Sequence, residues 1–141
     1  MVFSFIKAGK KPSKTPHKGL SYEQAAYKWL SNQGLRLITN NYHCRGGEID
    51  LIMEDSDTLV FFEIRYRRQP NHGNAIETVD WRKQQKICLT AEHYLSSHPA
   101  YQNKPTRIDV VGVYPDQTNA MMCGHREGLR FEWIKNAIMP F

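Results

Sequence analysis

Residues 46 to 66 constrain the fold more than any other stretch, because two β-prone runs, each alternating charged with apolar residues, flank a short polar break. The runs are Gly46-Gly47-Glu48-Ile49-Asp50-Leu51-Ile52-Met53 and Leu59-Val60-Phe61-Phe62-Glu63-Ile64-Arg65-Tyr66, with Asp55-Ser56-Asp57-Thr58 between them. Alternation bounded by turn residues specifies a hairpin. Side chains alternate faces along a strand, so Glu48, Asp50 and Ile52 are expected on one face and Ile49, Leu51 and Met53 on the other. Phe61, Glu63 and Arg65 oppose Val60, Phe62, Ile64 and Tyr66 in the same way. If the loop is Ser56-Asp57 alone, or residues 55 to 58, the cross-strand partners step back from Asp55 with Thr58 to Asp50 with Glu63. An odd loop would put those two acids on opposite faces.

Two carboxylates facing each other across a strand pair, with Cβ atoms about 5 Å apart, repel and destabilise a bare hairpin. Something cationic is therefore expected between them. A hard divalent ion such as Mg²⁺ is one candidate, since one or two carboxylates with water and phosphate oxygens make its usual shell. Arg65, two residues along from Glu63, is the competing explanation and needs no metal. An alternating charged strand is also an ordinary solvated sheet face. The surroundings favour a site, because Phe61, Phe62, Ile49 and Leu51 place the acid pair inside apolar strands rather than at a frayed end.

The run Gly46 to Ile52, followed by Val60-Phe61-Phe62-Glu63-Ile64-Arg65-Tyr66-Arg67, resembles the core of the YraN-like family of small bacterial proteins. That family is similar to Holliday-junction resolvases and to the PD-(D/E)xK nuclease superfamily. The match is specific from Gly19 to about Leu95 and looser beyond. The resemblance implies an α/β, restriction-endonuclease-like sandwich, in which helices flank a mixed central β-sheet. It also implies Mg²⁺ or Mn²⁺ as cofactor, DNA as partner, including branched or structured DNA, and a homodimer of the resolvase kind. Carried over position by position, Asp50 matches the metal-binding Asp, Glu63 the second acid, Arg65 the motif lysine, and Glu23 the acid on the first helix. The implied metal ligands are Asp50, Glu63 and Glu23, and the implied catalytic set adds Arg65. Two positions depart from the pattern. Ile49 stands where proline is common, at little cost. Arg65 stands where a lysine could lose its proton; a guanidinium stabilises phosphate charge but cannot serve as a base.

A length of 141 residues suits one domain, and 40% hydrophobic with 23% charged residues is ordinary globular composition. No apolar run is long enough to span a bilayer, so no membrane partner is expected. The net charge of +5 is concentrated in residues 1 to 18, where Lys7, Lys10, Lys11, Lys14 and Lys18 occur without an acid. That stretch reads as a basic, flexible tail ahead of a domain from 19 to 141. It is either a contact for a phosphate backbone or a solvated leader. Cys44, Cys88 and Cys123 show no paired spacing, which with no secretory signal points to reduced thiols in a cytoplasm. His43-Cys44 and Cys123-x-His125 lack the usual zinc spacing.

Along the chain, Ser21-Tyr22-Glu23-Gln24 reads as a capping box opening a helix that Gly34 stops. An acid in a first turn, such as Glu23, also suits the helix dipole. Leu35 to Tyr42 is a first strand, broken near Asn40-Asn41. Residues 67 to 74 form a basic loop in which Arg67 and Arg68 are candidate nucleic-acid contacts, or simply solvated. Asp80 or Thr78 caps a second helix reaching about Ser97, with Trp81, Gln84, Gln85, Cys88, Ala91, Tyr94 and Leu95 on the inward face. Arg82, Lys83 and Lys86 at the edges of that helix read first as solvated. The resemblance to a superfamily in which some members take the lysine from a neighbouring helix makes Lys83 or Lys86 a candidate for what Arg65 does not supply, or for a phosphate contact, and Gln85 could orient a water or phosphate. Thr106 to Tyr114 is a further strand, with Arg107 and Asp109 as a structural ion pair. Pro115 to Gly128 reads as loop, Leu129 to Trp133 as an edge strand and Ile134 to Met139 as a short terminal helix. The functional expectation is a metal-dependent nuclease. A non-catalytic nucleic-acid-binding module and a scaffold held by an Arg65-centred ion network are its rivals.

Overall fold

A computed structural model describes residues 21–68, 75–116 and 128–140. The basic tail, most of the 67 to 74 loop, Cys123 and His125 lie outside the described residues. The first helix, α1 (Tyr22–Asn32), starts where the capping box places it. Ser21 Oγ accepts the Gln24 main-chain N–H at 3.1 Å, and Gln24 Oε1 accepts that of Ser21 at 3.1 Å. It ends in a Schellman arrangement, with the N–H of Gly34 on the Ser31 carbonyl and that of Leu35 on the Leu30 carbonyl. Gly34 takes φ +99° there, where a side chain would be strained.

Three strands follow, β1 (Arg36–Cys44), β2 (Gly47–Asp55) and β3 (Thr58–Tyr66), and then α2 (Trp81–Ser97), β4 (Thr106–Asp116) and β5 (Gly128–Ile138). The sheet order is β1-β2-β3-β4-β5, antiparallel throughout except for β3 with β4. Parallel neighbours require a crossover, and α2 supplies it. The result is a mixed five-stranded sheet with a helix on each face, the expected restriction-endonuclease-like layering. Alternate strand residues feed two cores. Ile52, Phe61, Ile108 and Val110 pack with Ile87, Cys88, Ala91 and Tyr94 of α2, whereas Leu51, Met53, Val60, Phe62, Val111 and Val113 pack with Ala26 and Leu30 of α1. Each fully buried Leu, Ile or Phe contributes roughly 1.5–3 kcal/mol over its exposed state, so these two faces fix the sandwich. Among the described residues, no helix is long and apolar enough to cross a membrane.

The start of α2 is set by one contact with the sheet and by its own cap. Ala75, in a 3-10 turn at Ala75–Thr78, packs so tightly on β4 that a Cβ added to Gly112 would lie 2.8 Å from the Ala75 Cβ. Asp80 caps α2 by accepting the Lys83 N–H at 2.8 Å.

Four expectations need correction. Trp81 does not face inward: it is 71% exposed, because the stripe that packs on the sheet is Ile87, Cys88, Thr90, Ala91 and Tyr94. Ile49 joins the α2-side core with Ile52 instead of sharing a face with Leu51 and Met53. Strand β1 is not broken at Asn40-Asn41 but runs on to Cys44, with Asn41 at φ +50°. There is no terminal helix from Ile134: β5 continues to Ile138 through a register shift opposite Asp109.

Candidate functional site

The parity of the β2–β3 turn decides whether Asp50 and Glu63 can meet. The loop is Ser56-Asp57, with Ser56 at φ +53°, and the register runs from Asp55↔Thr58 to Leu51↔Phe62. The next position in that register is Asp50 with Glu63, but the ladder stops short of it. Instead, Asp50 Oδ2 accepts the Ile64 main-chain N–H at 2.8 Å, so a side chain takes the place of strand pairing where β2 and β3 part. Asp50 and Glu63 are 2% and 3% exposed.

Buried carboxylates require compensation. Glu63 shares the α2-facing side of β3 with Phe61 and Arg65. Its Oε1 lies 3.4 Å from Arg65 Nε and 3.6 Å from Lys83 Nζ, so one cation arrives along its own strand and another from α2. The Arg65 pairing, which competes with a metal as the cation at Glu63, is present, and Lys83, not Lys86, is the helix lysine at the acid. Lys86 is exposed near the β1–β2 turn, where its Cβ lies 3.2 Å from a Cβ built on Gly47.

Glu23 lies in the first turn of α1, in the layer opposite α2. Among the described residues, no group of three or more His, Cys, Asp or Glu is close enough to hold a metal ion, so Glu23 is not gathered with the other two acids. Asp50 and Glu63 are two buried carboxylates that offer oxygen donors alone. That chemistry fits a hard ion such as Mg²⁺ or Mn²⁺, which keeps several waters, and does not fit a closed thiolate or imidazole cage. Arg67 continues β3 through its N–H to the Val113 carbonyl, Arg68 is exposed beyond it, and Gln85 is half-buried on α2.

Asp109 is completely buried and belongs to a different network, on the α1 side. It accepts from Arg107 Nε at 3.1 and 2.9 Å, from Trp133 Nε1 at 2.8 Å and from the Asn136 N–H at 2.9 Å, while Arg107 also reaches Asp55 at 2.7 Å. These contacts satisfy it as a structural ion pair. Sequence reading missed the reach to β5: no local pattern joins residues more than twenty positions apart. The stack of Tyr22 on Tyr66, with centroids 4.0 Å apart, was equally invisible. That stack ties the start of α1 to the end of β3, and burial followed by the Tyr66 hydrogen bond pushes the Tyr22 hydroxyl up to about 12.

The profile of the Uncharacterised protein family UPF0102 matches residues 22–113, from the first residue of α1 to the end of the parallel β3–β4 pairing. The chain belongs to this family. A UPF0102 protein of Nitrosococcus oceani is 45% identical over 122 residues, covering 86% of this chain and 98% of the relative. UPF0102 proteins of Aeromonas hydrophila, 44% identical over 123 residues (86% and 85% covered), and Alcanivorax borkumensis, 42% over 119 (84% and 89%), are similar along comparable lengths. The matched span of the UPF0102 chain contains Asp50, Glu63, Arg65 and Lys83.

Proposed function

We propose that this UPF0102 chain is a metal-dependent endonuclease acting on DNA, with Asp50 and Glu63 as the ion's protein ligands and Lys83 as the lysine of the site. The observation that carries this reading is the near-complete burial of Asp50 and Glu63 where β2 and β3 part, with Lys83 brought from α2 to Glu63; Arg65 on the same oxygen also supplies the ion network of the metal-free rival. A bound Mg²⁺ or Mn²⁺ would lower the pKa of a coordinated water and polarise the scissile phosphate. The protein's own groups supply the rest. The Ile64 N–H fixes the Asp50 carboxylate, so that ligand is oriented in advance. Arg65 carries a permanent planar charge suited to the phosphate oxygens. Lys83 is the cation that can exchange a proton with the attacking water or the departing alkoxide as one phosphodiester P–O bond forms and another breaks. Glu23, in the opposite layer, is left out of the ligand set.

A second reading keeps the fold as a non-catalytic nucleic-acid-binding module, and the observation favouring it is Arg65 at the motif-lysine position. Incubation of the purified chain with linear, single-stranded and four-way-junction DNA, with Mg²⁺, Mn²⁺ or chelator, separates the two. Cleavage with metal, abolished by chelator and by Asp50→Ala or Glu63→Ala, is the expected result. Binding that weakens steeply with salt and no cleavage with either metal would favour the second reading. Cutting that survives both substitutions would remove the nuclease reading.

A further inference from the structure

Trp81 is out of place for a structural residue. It is 71% exposed at the first position of α2, and Leu89 and Met139 are the other exposed large hydrophobic residues among those described. A single exposed apolar side chain is ordinary on a protein surface, so Trp81 marks a partner site only through the company it keeps. Its neighbours say which kind. From Trp81 to Ala91 the helix carries Arg82, Lys83 and Lys86 and no acid, although a first turn ordinarily favours acids. Glu77 and Asp80 precede it, and Asp80 is engaged in capping the helix. Trp81 is two residues from Lys83, whose Nζ reaches Glu63; side chains two apart leave a helix on nearly opposite sides, so the indole lies on the outer side of the turn that carries Lys83 inward. The packing of Ala75 on Gly112, the register partner of Arg65, holds the start of the helix beside the same strand ends. An open aromatic face within a basic surface fits a polyanion that also presents a flat π-surface.

We infer that Trp81 is a stacking platform for an unpaired base of the DNA engaged at the Asp50–Glu63 site, and so a residue that distinguishes unpaired from fully paired DNA. This rests on the nuclease reading above and deepens it. Bases inside an intact duplex have both faces stacked on neighbours, so only an unpaired or junction base can meet the indole. Phosphate contacts from the exposed Arg82 and Lys86 would supply affinity without discriminating between structures, and the indole would supply the discrimination.

The test measures binding of wild type, Trp81→Ala and Trp81→Phe to a short oligo(dT) and to a fully paired, end-closed duplex, at one fixed salt concentration with chelator to prevent cutting. Trp81→Ala should weaken oligo(dT) binding roughly tenfold or more, as loss of one base–aromatic stack does. It should leave duplex binding unchanged, and Trp81→Phe should retain most of the affinity. Oligo(dT) should quench a tryptophan fluorescence component that Trp81→Phe lacks, since Trp29 and Trp133 pack in the α1-side core. Because Trp81 is exposed, unchanged thermal melting should show both variants folded. Equal losses on both ligands would make Trp81 a nonspecific contact and overturn the inference. DNA affinities unaffected by either substitution would also overturn it, leaving the indole for a protein partner. If wild type binds no DNA even at low salt, the nuclease reading falls as well, and that outcome is distinct from the other two.

Discussion

Replacing Lys83 by methionine tests the candidate site most directly, because the structure predicts a small effect on stability and a large one on cleavage. Lys83 Nζ lies 3.6 Å from Glu63 Oε1. At an effective dielectric near 20 that separation corresponds to an attraction of about 4.6 kcal/mol before desolvation. Most of it should not appear as lost stability. Arg65 remains 3.4 Å from the same oxygen, so Glu63 is not left as an uncompensated buried charge, and the cost of about 3–5 kcal/mol for that situation does not apply in full. The lysine side chain is itself 29% exposed, and its methylene stem is largely replaced by methionine. A net cost of about 1–2 kcal/mol is therefore expected, a fall in Tm of roughly 3–6 °C. Cleavage should fall by at least about 100-fold if Lys83 handles the proton. Lys83→Arg separates charge from proton transfer: it should recover the stability and not the activity. The assays are thermal melting and single-turnover cleavage with Mg²⁺. Wild-type cleavage by Lys83→Met would refute the placement of Lys83 in the chemistry, and wild-type cleavage by Lys83→Arg would refute its role with the proton.

Two further predictions concern the frame around the site. Asp109→Ala removes the acceptor of Trp133 and of the Asn136 N–H and leaves Arg107 with Asp55 alone, and should cost about 2–4 kcal/mol in urea unfolding through the buried donors left unpaired. A loss under about 1 kcal/mol would mean that the network does not hold β5 in place. At high pH the buried hydroxyls of Tyr94 and Tyr114 matter. Burial, then the charge of Tyr101 for Tyr94 and the hydrogen bond to Glu132 for Tyr114, pushes each up to about 12 from an ordinary 10.0. The folded chain therefore keeps protons that the unfolded chain releases. Stability should be fully present below about pH 10 and should fall between 10 and 12 by up to about 1.4 kcal/mol per pH unit for each tyrosine. Tyr114→Phe should remove its share of that slope. A flat unfolding free energy between pH 9.5 and 11.5, with these pH limits on the order of the shifts above, would refute the assignment.

What the sequence by itself determined was local and periodic. Ser21 with Gln24, and Gly34, set both ends of α1, because caps are made by residues within one helical turn. The polar break at 55 to 58 contained the two-residue turn, and its parity set the register as far as Leu51 with Phe62, the last pair before Asp50 and Glu63. Asp80 marked the start of α2. The tertiary structure decided everything that depends on how one periodic element is rotated against another. The α2 sequence offers several apolar and basic faces of similar quality, and only packing on β2 turned Trp81 outward and Lys83, not Lys86, toward Glu63. Residues 134 to 138 carry a pattern short enough to be helix or strand. They are strand because Asp109, from β4, accepts the N–H at Asn136, where φ is +52° and a regular ladder cannot continue. Pairing rules act between neighbours in sequence, whereas these outcomes arise from contacts between residues that only the folded chain brings together.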